Sequence, residues 1–357
     1  MPRKIQGLLE RAEGKREAGN FKEALPFFRQ AVRQNGSFEA FSGLAGCLRL
    51  TGDFRGAIAA YKTALERSVC DEEQKADTFM GLGMACRGLS EYAAAGRYFS
   101  KAAISYKASG DWPGFAYYCW CQGGLRRITG DLRGSRRLFM LSVKFYGLLK
   151  DESGKAYALA GLGGILRMLG DFSDSFACYS KASVIFRKHG DRFGFAYCNC
   201  GMGSASRMLL KPAKSEAFYK IALLNYRGIK DEVNIAFVLW GYANTLILSG
   251  RLTEAKRRHI ESARLFLKHK DKRGMVYALL QKGELERNSG NLLEGARCFR
   301  AAGMRAKALG LKFEALHAQT GLFFCKKAKS PYKQYAKLGS KWHRVLKRNT
   351  AVILDFP

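Results

Sequence analysis

The sequence predicts an all-α solenoid built from repeated helical hairpins, and three observations carry that reading. Aromatic residues recur at a fixed spacing of 40, at Phe99, Phe139, Tyr179, Tyr219 and Phe299, with His259 at the remaining node. Each is flanked by small residues, four before (Ala95, Ser135, Ser175, Ser215, Ala255, Gly295) and three after (Ala102, Ser142, Ala182, Ala222, Ser262, Ala302). Sixteen residues before the node stands Gly83, Gly123, Gly163, Gly203, Ala243 or Gly283. Self-similarity at one period is the mark of a repeat architecture. The small residues allow two antiparallel helices to approach, and the aromatic fills the space between neighbours.

The punctuation between helices agrees. Gly52-Asp53, Gly130-Asp131, Gly170-Asp171 and Gly250-Arg251 fall where the first helix of a hairpin ends. Glycine suits the left-handed terminal position and aspartate the next N-cap. Asp71, Asp111, Asp151, Asp191, Asp231 and Asp271 separate the hairpins, and Gly114, Gly154, Gly194 and Gly274 follow four of them by three residues. Shorter steps extend the pattern towards the N-terminus, through Ala45, Ala57, Tyr61 and Ala64, then Ala12, Ala24, Phe28 and Ala31. That makes eight repeats.

Composition agrees with a folded helical protein. The 357 residues are 47% apolar and 25% charged, with six prolines and no apolar run long enough for a membrane helix. Met1 to Phe21 lacks an apolar signal core, so a cytoplasmic location is expected and the ten cysteines are expected to be reduced. Lys and Arg total 61 against 30 Asp and Glu, a net charge of +31. Such a balance favours acidic partners.

The repeated small residue of the first helix, the Gly-Asp turn and the small–aromatic–small set of the second resemble a tetratricopeptide repeat (TPR) protein over roughly residues 5–310. The 40-residue repeats resemble those of kinesin light chains, spindle-orientation adaptors and bacterial peptide-sensing regulators. The resemblance implies a right-handed superhelix whose concave groove is lined by the first helix of each repeat, here called helix A. Two repeats depart from the pattern: Lys211-Pro212 replaces Gly-Asp, and His259 replaces the aromatic. The expected organisation is a repeat array over 1–310, basic capping helices over 311–350 and an apolar tail over 351–357. Phe313 to Lys327 reads as one helix and Lys333 to Lys347 as a last basic one. Its Tyr335, Leu338 and Trp342 are expected to cover the eighth repeat.

Residues recurring at one helix A position form the candidate site. Arg16, Arg49, Arg87, Arg127, Arg167, Arg207 and Arg287 each follow the helix A small residue by four; only Ile247 breaks the series. Tyr117, Tyr157, Tyr197, Phe237 and Tyr277 precede it by six, and Trp120 and Trp240 lie three further on. At 100° per residue the arginine and aromatic positions stand about 80° apart, within one arc. Arginine forks bind carboxylate or phosphate in pairs of bonds. The expectation is a solvent-facing basic groove with aromatic rungs, holding an acidic peptide or protein segment. The same pairing suits RNA or single-stranded nucleic acid, although excess charge also lies on second helices, as at Arg133, Arg136, Arg137, Lys256, Arg257 and Arg258. Alternatively, the arginines neutralise helix C-termini and the aromatics pack between repeats. A self-associating structural subunit is the third reading, and the oligomeric state is open.

No catalytic set is read. Cys119-x-Cys121 and Cys198-x-Cys200 point about 200° apart on a helix and suit buried thiols better than metal ligands. The five histidines have no partner at ligand spacing, and the glycines around Gly161, Gly163 and Gly164 are packing points. No cofactor or metal is expected, and the chain reads as a non-enzyme.

Overall fold

The computed structural model describes residues 3–34, 36–67 and 70–348. Within them lie nineteen helices and no strand. The helices pair as α1 (Arg3–Glu17) with α2 (Phe21–Gln34), α3 (Phe38–Leu50) with α4 (Phe54–Arg67), and α5 (Glu72–Gly88) with α6 (Tyr92–Ser109). Then come α7 (Trp112–Thr129) and α8 (Leu132–Leu148), α9 (Glu152–Leu169) and α10 (Phe172–Lys188), α11 (Arg192–Met208) and α12 (Pro212–Gly228). The last repeats are α13 (Glu232–Leu248) with α14 (Leu252–Lys268) and α15 (Lys272–Asn288) with α16 (Leu292–Ala308), followed by α17 (Lys312–Phe324), α18 (Tyr332–Lys337) and α19 (Trp342–Arg348). The chain divides into two compact units, residues 1–125 and 126–357. No described helix is long and apolar enough to cross a membrane.

The Asp-x-x-Gly signature has two jobs. Asp111, Asp151, Asp191 and Asp271 each accept a hydrogen bond of 2.8 Å from the backbone N–H of Gly114, Gly154, Gly194 and Gly274. That caps helix A. The glycine is also the seat of an aromatic from the preceding helix: Tyr106, Tyr146, Phe186 or Phe266 lies where a Cβ would stand. Asp71 forms a full capping box with Gln74.

The node aromatics are wedges between successive helices A. Tyr179 packs on Gly163 of its own repeat and Gly201 of the next, Tyr219 on Gly203 and Gly241, and Phe299 on Gly283 and Gly321. A second row of close-approach residues therefore runs through Gly81, Gly161, Gly201, Gly241 and Gly321. Position 281 of this row holds Gln281, opposite His259. The His259 Nδ1 lies 3.1 Å from Gln281 Oε1, while Gln281 Nε2 donates to the Trp240 carbonyl and to Asn244 Oδ1. The odd histidine is matched by an odd glutamine, and a cavity of about 360 Å³ opens beside His259.

The C-terminal segment corrects the sequence reading. The expected single helix over 333–347 is broken between α18 and α19 at Gly339, whose φ is +75°. Tyr335 does cover α17, against Phe313 and His317. Trp342 packs edge-on against His317 of α17 and also reaches the distant end of α9, meeting Phe172 edge-on and donating from Nε1 to the Arg167 carbonyl. Ser340 Oγ donates to the Met168 carbonyl and the Lys341 N–H to the Leu169 carbonyl. Lys341 Nζ meets Asp171 Oδ1 at 2.5 Å. Asp171 makes no side-chain cap, unlike Asp53 and Asp131 at the same position, and its carboxylate meets the strap lysine. The apolar tail over 351–357 lies outside the described residues.

Candidate functional site: the helix A arginines

Each ladder arginine stands in the last turn of its helix A. In the N-terminal unit Arg49 and Arg87 are half-buried, and both act electrostatically on the Tyr117 hydroxyl. Tyr117 stacks on Trp120 with ring centres 6.1 Å apart. Tyr117 keeps 37% of its surface exposed, and desolvation of its hydroxyl, the larger influence, raises the pKa above that of an ordinary tyrosine.

In the C-terminal unit Arg127 lies across Gly164 of the next helix A, where its guanidinium occupies the space a Cβ would need. Its Nε and Nη1 are buried without a hydrogen-bond partner. Its charge reaches the hydroxyls of Tyr179 and Tyr277, both fully buried and pushed well above the ordinary tyrosine range by desolvation. Arg167 is 3% exposed and Arg207 1%. The expectation that the ladder faces solvent is therefore corrected at Arg167 and Arg207. Gly124 and Gly164, one position beyond the helix A glycine, admit the guanidinium of Arg87 and Arg127, whereas Arg167 is enclosed with Tyr179, Tyr197, Ser204 and Trp240 around one narrow cleft. Arg287 differs, since its Nε donates to the buried Glu284 at 2.9 Å and its guanidinium lies over Phe324. It is an ion-paired packing residue.

The aromatic rungs divide. Trp240 and Tyr277 are core residues: the indole N–H donates to the Tyr277 carbonyl, and the Tyr277 hydroxyl donates to Glu314. The Tyr157 hydroxyl donates to Asp191 at 2.6 Å while its ring meets Phe186 edge-on, so it ties neighbouring repeats together. Phe237 sits against Phe266 and Tyr277. Yet Arg167, Tyr197, Phe237 and Trp240 do converge, with Tyr179 and Ser204, on one cleft of about 30 Å³. That is room for a water-sized group, not for a folded metabolite.

All ten cysteines are free thiols. Burial pushes the pKa of Cys121 up to about 11 and that of Cys119 up to about 12, the behaviour of packing residues rather than nucleophiles. No group of three metal-ligating side chains occurs among the described residues.

A family model described as tetratricopeptide repeat matches residues 9–69 and 51–111. Solved structures extend the likeness. A Rap protein complexed with Competence and Sporulation Factor superposes with a TM-score of 0.65 at 10% identity, over 94% of this chain and 99% of that one. The apo form of RapI gives 0.64 at 13% identity, over 76% and 99%. A STAND signal-transduction ATPase with a tetratricopeptide repeat sensor, from Pyrococcus horikoshii, gives 0.60 at 15% identity, over 90% and 50%. No curated protein matches the sequence significantly. Residues 9–111 thus match the tetratricopeptide repeat model, and the chain shares with these neighbours an all-α fold of repeated helical hairpins.

Proposed function

We propose that the chain is a non-catalytic TPR scaffold that binds an acidic peptide or an acidic protein segment along the helix A arginines. The observation that carries this is Arg127, whose buried Nε and Nη1 have no hydrogen-bond partner. Buried donors without acceptors are costly, by about 1–3 kcal/mol each, and an incoming carboxylate would remove that cost. Arg167 and Arg207, at the same position of the next two helices A, are buried, so the contact is centred on Arg127. A fold neighbour was itself solved with a bound factor, which supports the use of such a scaffold for binding.

The test is calorimetric titration of the full chain with an acetylated peptide alternating Glu and Phe, at low and high salt. Arg127→Gln should weaken binding about tenfold, as expected for one charge-assisted pair. Arg137→Gln, at an exposed position of α8, should leave it unchanged. If poly(U) binds more tightly than the peptide, with a steep salt dependence, the partner is nucleic acid and the peptide reading fails.

A further inference from the structure

A second cavity lies in the C-terminal unit, bounded by the end of α16, by α17 and by α18, with a volume of about 520 Å³. That is within the range of small-ligand pockets. Its body is apolar, walled by Leu311, Ala315, Leu316 and Leu338. Lys307, Lys312 and Lys337 also line it, one from each of the three elements. All three are exposed and none makes an ion pair among the described residues. Such side chains lay an apolar stem along a pocket wall and hold the ammonium at the mouth.

The local chain cannot neutralise these charges. Glu314 is the only acid between residues 312 and 348. It is buried and already committed, accepting from Arg273 at 2.8 Å and from Tyr277 at 3.1 Å. An apolar chamber with three uncompensated ammonium groups at its rim is complementary to an amphipathic anion. We propose that this cavity is a binding site for a small molecule with an apolar chain and one anionic head, of the fatty carboxylate class. The site is separate from the helix A arginines and does not depend on them.

The probe is decanoate, titrated below its aggregation concentration into the full chain and followed by calorimetry, with decanol as the uncharged control. Saturable binding at one site is expected, with decanol at least tenfold weaker. Lys312→Gln combined with Lys337→Gln alters only exposed side chains and should weaken decanoate tenfold or more. Ala315→Phe, which fills the chamber, should abolish binding. Arg127→Gln should leave it intact. Equal affinity for decanol and decanoate, or full affinity in the double lysine variant, would overturn the proposal. So would decanoate binding that appears only after removal of residues 350–357, because the chain's own apolar tail would then be the occupant.

Discussion

Leu210 holds a φ of +58° in the turn between α11 and α12, where the equivalent turns use Gly130, Gly170, Gly250 and Gly290. A side chain in that left-handed region costs about 1–2 kcal/mol, partly offset by the flexibility that glycine adds to the unfolded chain. Leu210 is half exposed, so little packing is lost on its removal. Leu210→Gly should therefore raise stability by something under about 1 kcal/mol, read from chemical denaturation. Gly170→Ala should act in the opposite direction. It meets the same backbone cost, and its Cβ would come 3.1 Å from the Cβ of Lys341 in the strap. A loss of about 1–2 kcal/mol is expected. Gains from both substitutions would show that the turn conformation is not what limits these positions.

At the scale of the element, the seventh repeat is held by a polar pair where its neighbours use an aromatic on a glycine. Gln281→Gly alone deprives His259 of its partner and leaves a buried void, so a loss of about 1–3 kcal/mol is expected. His259→Phe alone drives a ring against Gln281. The double variant restores the arrangement seen at Phe299 and Gly321, and a coupling of about 0.5–3 kcal/mol should appear in the double-mutant cycle. Additive effects would refute the pairing. Hydrogen exchange should also find α14 and α15 opening before α11 and α12. The repeat itself was fully legible in the sequence, because the nodes and turns recur in register. The Gly81–Gly321 row was equally periodic, but it becomes meaningful only when one aromatic is seen to serve two repeats. The burial of Arg167 and Arg207 was not legible. Helical spacing places a residue on an arc, whereas its exposure depends on whether the next helix A leaves room over it. The strap was beyond reach for another reason: no periodic signal links residue 342 to residue 167.

For the whole molecule, acid sensitivity and cooperativity follow from buried groups and from the strap. Burial lowers the pKa of His259, which faces Gln281 and Lys282, and lowers that of His317 well below 6.5. His317 faces Tyr335, Thr320, Phe313 and Trp342. Both histidines favour the neutral form when folded. Their contribution is complete above the unfolded pKa near 6.5 and is lost progressively as pH falls from there through the lower folded values. Stability should decline from about pH 7 to pH 5, and His259→Asn should flatten that decline. Glu216 adds a second loss. The Tyr242 hydroxyl, Lys220 and Arg251 hold its pKa at about 2, so its contribution disappears as pH falls from the ordinary carboxylate range towards that value.

The strap changes how the C-terminal unit should unfold. In a solenoid each repeat contacts its neighbours, and stability sums local terms. Here Ser340, Lys341 and Trp342 bind residues some 170 positions away, so the end of the chain and α9 share a fate. Trp342 is completely buried, and its truncation to alanine should cost about 3–5 kcal/mol of strap docking. The consequence should be local before it is global. In Trp342→Ala, amides from Met168 to Asp171 should exchange faster, together with those of α17 and α18, while α11 to α13 keep their protection. Calorimetry should resolve the parent's C-terminal unit as one transition and the variant's as two, because nearest-neighbour coupling alone remains. A variant that melts in a single, uniformly lowered transition would show that the repeats are already coupled without the strap.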